Sequence, residues 1–278
     1  MNEERRKQLA KAANQVRKGI IEEVYSAQSG HPGGSLSIAD VMTYLYQEEL
    51  RVDTQDPKWE DRDRLVLSKG HVCPALYAAL AQKGFFPWDE LKTFRRVGSR
   101  LQGHPDLNKA PGVDFTAGSL GQGVSAAAGI ALAGKVTGKD YRVYAILGDG
   151  ELQEGEVWES AMFSAHYKLD NLCYIIDNNG LQIDGNIKDV CSPYPIDEKF
   201  RAFGFEVIVI DGHDFDQIEA AVRQAKTVKG RPTAIIAKTV KGKGISFMEN
   251  KASWHGSAPN AEQYETAMAD LAKIEEVL

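Results

Sequence analysis

Between residues 143 and 237 the chain alternates short, nearly continuous apolar runs with segments of helical length. Val143-Tyr144-Ala145-Ile146-Leu147 is followed by a helical stretch from Gly155 to Lys168. Leu172 to Ile176 and Phe205 to Ile210 come next, then a helical stretch from Phe215 to Val228 and the run Ala234-Ile235-Ile236-Ala237. A run without polar alternation reads as a strand buried on both faces, and strands separated by helical crossovers pair in parallel. The pattern predicts an α/β fold, a parallel β-sheet with helices on both faces. In such a sheet, ligands bind beyond the carboxyl ends of the strands.

The first half adds helices and irregular chain. Leu9, Ala13, Val16, Ile20 and Val24 recur at helical spacing, which predicts one amphipathic helix over residues 4–28. Ser29-Gly30-His31-Pro32-Gly33-Gly34 reads as a glycine-rich loop. Ser37 reads as the N-cap of a second helix reaching about Leu50. Residues 52–63 read as a loop, Leu65-Val66-Leu67 as a short apolar run, and Pro74 to Lys83 as a helix. Residues 97–119 read as irregular surface chain. Gly121-Gln122-Gly123 opens an alanine-rich helix to about Val136, and the last 20 residues read as a final helix. No repeat, low-complexity tract or linker divides the sequence, so residues 1–278 are expected to form one domain.

Composition narrows the function classes. Hydrophobic residues make up 43% and charged residues 26%, which excludes a disordered or collagen-like chain. The net charge of −6 gives no global attraction to nucleic acid or anionic lipid. Cys73, Cys173 and Cys191 form no CxxC pair, so ordinary packing in a reducing compartment is expected. The N-terminus lacks the apolar region of a signal peptide, and Val124 to Gly134 is too short to span a bilayer. A soluble, cytoplasmic protein is expected, with neither nucleic acid nor membrane as partner.

Two loops carry the chemistry. One strand runs into Gly148-Asp149-Gly150-Glu151, the next into Asp177-Asn178-Asn179-Gly180-Leu181. Both fall on the same sheet edge, one crossover apart. A carboxylate, a side-chain amide and free carbonyls converging there are hard oxygen ligands suited to Mg²⁺ or Ca²⁺. Mg²⁺ keeps coordination sites for phosphate oxygens, glycines allow close backbone approach, and helix N-termini favour anions. A diphosphate is the expected third party. An isolated Gly-Asp-Gly would instead read as a strand-to-helix turn capped by Asp; the Asn-Asn-Gly loop downstream favours the site.

Gly148-Asp149-Gly150 with Asn179 resembles the thiamine-diphosphate signature. Ser29-Gly30-His31-Pro32-Gly33, Lys69-Gly70-His71, Gly103-His104-Pro105, Gly118-Ser119-Leu120-Gly121-Gln122-Gly123 and Trp254-His255-Gly256 resemble transketolase, in that family's order. The resemblance covers the diphosphate-binding domain only, like the N-terminal subunit of a split transketolase. It implies the thiamine-diphosphate-binding fold, thiamine diphosphate with a divalent metal, and transfer of a two-carbon ketol unit from a ketose phosphate to an aldose phosphate. The Glu that activates the cofactor belongs to the family's pyrimidine domain. The resemblance therefore implies a C-terminal partner subunit carrying that domain, with two copies of each chain.

The resemblance also assigns residues. Asp149 and Asn179 would ligate the metal through side-chain oxygens and Leu181 through its carbonyl. Gly150, Glu151 and Asn179 would lie at the diphosphate, and Gly118, Ser119 and Leu120 along the aminopyrimidine side. His71 and His255 would act near the diphosphate and reaction centre, and His31 and His104 on the sugar hydroxyls, as groups able to exchange protons or stabilise an oxyanion. Lys241 is either a diphosphate contact or a solvated loop lysine. Glu154 is either an interface carboxylate joining two active sites or a helix N-terminal carboxylate. Arg95 and Arg96 would attract a sugar phosphate or face solvent. His213 reads as a turn residue and His166 as structural.

A 2-oxo-acid dehydrogenase α-subunit shares the metal motif but not the histidine motifs. Deoxyxylulose-phosphate synthase shares much of the N-terminal pattern on a longer chain. A non-catalytic scaffold would be expected to lose Asp149, Asn179 or the histidines. A nicotinamide dehydrogenase lacks its glycine fingerprint here.

Overall fold

In the computed structural model, which describes residues 1–278, five of the apolar segments pair into one parallel sheet. The strands are β1 (Arg64–Leu67), β2 (Val143–Gly148), β3 (Leu172–Asn178), β6 (Glu206–Asp211) and β7 (Thr233–Lys238), in spatial order β1-β2-β3-β7-β6. A two-stranded antiparallel hairpin, β4 (Leu181–Gln182) with β5 (Gly185–Asn186), comes after β3.

The strands lack polar alternation because both faces are covered. Leu65, Leu67, Tyr144, Ile146, Cys173, Ile175 and Ile235 join one buried cluster. Their neighbours Val66, Val143, Ala145, Leu147, Leu172, Tyr174, Ile176 and Ile236 join a second on the opposite face. The first cluster is roofed by α1 (Glu3–Ala27), α3 (Ala39–Tyr44), α4 (Cys73–Lys83) and α9 (Phe215–Thr227). The second is roofed by α5 (Gln122–Val136), α6 (Gly155–His166) and α8 (Ile196–Ala202). Fully burying one aliphatic side chain contributes roughly 1.5–3 kcal/mol, so these two layers are the main stabilising term.

Several local expectations are corrected. The Ser29–Gly34 segment is not all loop, because α2 (Pro32–Ser37) begins at Pro32, whose fixed φ suits the first helical turn. Ser37 caps nothing; its hydroxyl donates to the Gly34 carbonyl and, at 2.5 Å, to Asp177. The helix expected over 37–50 is broken at Ile38 and ends in one wide turn, Leu45–Glu49. Residues 97–119 are irregular but not purely surface, since Leu101, Ala110, Val113 and Ala117 are buried. The short helix α7 (Ile187–Cys191) and α10 (Ala261–Val277) complete the chain, and no helix is long and apolar enough to cross a membrane. Cys73 and Cys173 are buried, whereas Cys191 is exposed rather than packed.

Candidate active site

A parallel sheet sends every strand's carboxyl end to one edge, and the site is built from the residues just beyond those ends. After β1 come Lys69 and His71; after β2, Asp149, Gly150 and Glu151; after β3, Asn179 and Leu181; after β7, Lys241 and, further on, His255. With His31 and Leu120 they line a single cavity of about 360 Å³.

The two polar loops meet as the spacing predicts. Asp149 is 2% exposed; its Oδ2 accepts the Gly180 N–H at 2.6 Å and an Asn178 amide hydrogen at 3.0 Å. Gly148 and Asp177 are register partners on adjacent strands, which fixes this approach. Burial first, and the Asp177 charge second, push the Asp149 carboxyl up to about 6. The Asn179 amide nitrogen donates to Asp177 at 3.0 Å, so its amide oxygen is the end left for other partners; that oxygen accepts the Leu181 N–H at 3.1 Å. The Leu181 carbonyl faces the Lys241 ammonium at 3.2 Å, so a cation already stands against it. One carboxylate, one amide oxygen and one carbonyl are the donor chemistry a divalent metal requires. A Cβ at Gly150 would come 3.4 Å from the Gln182 side chain, an ordinary contact. These residues fit a metal-bound diphosphate.

Above the loops sit three imidazoles. Ring centroids of His31 and His71 are 5.1 Å apart, those of His71 and His255 5.1 Å, and those of His31 and His255 5.5 Å. Burial lowers all three. His31 falls to about 4, with Arg95 adding to the effect, and His255 to about 3, with Lys241 adding. His71 is held well below the ordinary value, with Lys69 adding. Neutral imidazoles can each donate one hydrogen bond and accept another, the form needed to contact sugar hydroxyls or move a proton.

Lys241 is 2% exposed, which rules out the solvated-loop reading. Its ammonium touches His255 Nδ1 at 2.9 Å, and burial, then Lys69, lower it to about 8. His104, Gly118 and Ser119 do not line the cavity; all three are exposed. Glu151 does line it, but its carboxylate is engaged internally. It accepts the Gly148 N–H at 3.0 Å, the Gly121 N–H at 2.9 Å and the Ser68 hydroxyl, so it holds the loop instead of pointing at a ligand. Glu154 stands exposed on the rim. Arg96 is exposed, while Arg95 is half-buried and its guanidinium bonds Ser29 Oγ at 2.5 Å, tying the loop that bears His31 to the loop that bears His104.

Two further site residues, Asp177 and Lys69, lie within the quoted motifs but receive no role from the sequence. Asp177 is fully buried and accepts from Ser37, Lys69, Thr239 and Asn179. Burial pushes its carboxyl up, but Lys69 and the hydrogen bonds outweigh that and hold it below the usual range. Lys69 is its ion-pair partner. An ionisable residue at the end of an otherwise apolar strand, and a lysine beside a motif histidine, are the signals that point to them.

Comparison with known proteins identifies the family. Residues 8–272 match the family described as transketolase, thiamine diphosphate binding domain. The 6-deoxy-6-sulfo-D-fructose transketolase subunit SqwG of Clostridium sp. (strain MSTE9) is 47% identical, over 95% of this chain and 96% of that protein. An apulose-4-phosphate transketolase subunit of Phocaeicola vulgatus is 42% identical, over 92% and 91%. Human transketolase is 45% identical over 89% of this chain but only 39% of its own length. The solved transketolase of Campylobacter jejuni superposes with a TM-score of 0.91 at 35% identity, covering 98% of this chain and 43% of that one. The chain thus spans less than half of the full-length transketolases it matches, and it belongs to the transketolase family as that family's thiamine diphosphate binding domain.

Proposed function

We propose that the chain is the thiamine-diphosphate-binding subunit of a split transketolase, moving a two-carbon ketol unit from a ketose phosphate or related anionic ketose to an aldose phosphate. The observation that carries this reading is the convergence of His31, His71 and His255 over the Asp149–Asn179 loops in one cavity. The two subunit-sized relatives, each covered over more than nine-tenths of its length, support it.

When bound, the cofactor would supply a stabilised carbanion equivalent for carbon–carbon cleavage and transfer. This chain's residues would do the rest. Asp149, Asn179 and the Leu181 carbonyl hold Mg²⁺ or a similar ion, and Lys241 and the Gly150 backbone meet the diphosphate. Neutral His31, His71 and His255 orient the sugar and hand protons to or from its oxygens. A partner chain supplies the pyrimidine-side carboxylate and closes the cavity, in an assembly of two copies of each.

The test uses the purified chain with Mg²⁺ and thiamine diphosphate, with and without the partner subunit. Donors are fructose 6-phosphate, 6-deoxy-6-sulfo-D-fructose and apulose 4-phosphate; ribose 5-phosphate is one acceptor. Transfer that needs both chains is expected. Efficient transfer by this chain alone refutes the split enzyme, and no cofactor binding in the reconstituted complex refutes the assignment altogether.

A further inference from the structure

Behind the cavity a buried polar chain reaches the loop that carries Lys241. Asp40, in the first turn of α3, is 5% exposed. Arg17 of α1 donates to its Oδ2 at 2.5 Å, and His213 Nδ1 meets the same oxygen at 2.7 Å. On the other side of the ring, the Val240 backbone N–H donates to His213 Nε2 at 2.9 Å. These partners fix the tautomer. Nε2 accepts, so it carries no proton; the proton sits on Nδ1 and is given to Asp40. Burial pushes the Asp40 carboxyl up, but Arg17 and His213 outweigh it and keep it ionised.

The imidazole is not needed by its own turn. The His213 backbone N–H is bound by Asp211 Oδ1 at 2.8 Å, and the Asp214 side chain caps α9 through the Asp216 and Gln217 amides. The ring is therefore free to act on a neighbouring element. Val240 immediately precedes Lys241, whose ammonium meets the Leu181 carbonyl and His255. Two further backbone bonds tie this loop to other parts of the fold, from Thr239 to Asn178 and from Gly242 to Gly33. Gly242 and Gly244 both take positive φ, 79° and 92°, so glycine conformations make up much of the loop.

We propose that His213, oriented by Asp40, is a positioning residue that pins the Val240 backbone and thereby sets the Lys241 ammonium over the cofactor cavity. The consequence for cofactor binding rests on the function proposed above; the pinning itself does not. The arrangement works as ligand-orienting carboxylate–histidine pairs do, with the carboxylate choosing the tautomer and the ring delivering the bond.

Two variants separate pinning from mere packing. His213→Gln keeps an amide N–H for Asp40 and an oxygen for Val240; His213→Phe keeps the ring volume and neither bond. Hydrogen exchange on the intact chain is expected to show the Val240 amide and its neighbours opening about tenfold faster in H213F, the size of one lost hydrogen bond, with H213Q close to wild type. In Mg²⁺–thiamine diphosphate titrations of the complex, H213F is expected to weaken binding by about tenfold, with kcat at saturating cofactor nearly unchanged and H213Q restoring affinity. Nitrogen-15 spectra of the wild-type chain should show a bare Nε2 and a protonated Nδ1, a readout that does not depend on any variant folding. An Nε2–H tautomer, or unchanged loop exchange in a folded H213F, overturns the proposal. If the wild-type complex binds no cofactor, the function falls, and the exchange and tautomer results alone decide the pinning.

Discussion

Asp177→Asn is the sharpest probe of how the site is held together. Asp177 lies at 0% exposure with four donors around it. Ser37 at 2.5 Å, Asn179 at 3.0 Å and the Lys69 ammonium approach Oδ2, while Thr239 approaches Oδ1. An asparagine whose oxygen takes the Oδ2 position keeps its shape and its three acceptor contacts. The Thr239 hydroxyl can rotate to accept from the new amide. What the substitution removes is the charge opposite Lys69, whose side chain is 3% exposed.

Breaking a buried pair by removing one partner costs about 3–5 kcal/mol, because the survivor stays charged without compensation. Against a typical total stability of about 5–15 kcal/mol, that is a large fraction. Lys69→Met removes the other charge and leaves Asp177 with its three hydrogen-bonded donors, so its cost should be smaller. The double variant leaves no buried charge and should lie well above the sum of the two losses. A coupling of about 2 kcal/mol or more is expected, at the upper end for contacting residues. Chemical denaturation of the four proteins measures it. Additive losses, or a D177N within about 0.5 kcal/mol of wild type (the range of neutral surface changes), would refute the reasoning.

Three further outcomes are expected from neighbouring contacts. Gly33→Ala would bring a Cβ to 2.7 Å from the Trp254 carbonyl and 3.1 Å from the Lys241 side chain, costing about 1–3 kcal/mol in thermal unfolding and weakening cofactor binding in titrations. Glu151→Gln leaves one carboxamide end facing either the Gly148 N–H or the Gly121 N–H and Ser68 hydroxyl as a second donor, so denaturation should show about 1–3 kcal/mol lost. His31 should stay unprotonated in NMR titrations down to near pH 4; its folded value lies below the ordinary 6.5, so the unfolded chain takes up the proton first and stability declines as pH falls through that interval. A His31 resonance titrating near 6.5 would contradict the burial described.

The sheet is legible in the sequence because its strands are buried on both sides. Continuous apolar runs such as Leu172–Ile176 have no other use in a chain of this composition, and parallel pairing then fixes one functional edge. Predicted and observed strand ends differ mainly where polar residues extend the ladder, as at Asp177 and Asn178. The region before β1 is less legible. Pro32 and two glycines look like a loop, but proline suits a first helical turn, and Gly33 is required for close approach to Trp254, far away in sequence. Local pattern does not contain that contact. Ser37 misleads for the same reason: its partner is Asp177, 140 residues on. His213 reads as a turn residue, and its backbone is one, but its ring partners come from α3 and the loop after β7.

The charges at the sheet edge explain why Asp149, Lys241, Asp177 and Lys69 form one unit. Asp149 is driven up to about 6 by burial and by Asp177, which outweigh its hydrogen bonds and the attraction of Lys69. Lys241 is driven down to about 8 by burial and by Lys69, which outweigh the attraction of Asp177 and Asp149. At each neighbour the like charge of the Lys69–Asp177 pair outweighs the opposite one. A ligand carrying only one sign would relieve one of these residues and aggravate the other. A divalent cation together with a diphosphate would carry both signs and so relieve both residues at once. Binding of such a pair would stabilise the folded chain by mass action, with the cation and the anion each raising the affinity for the other.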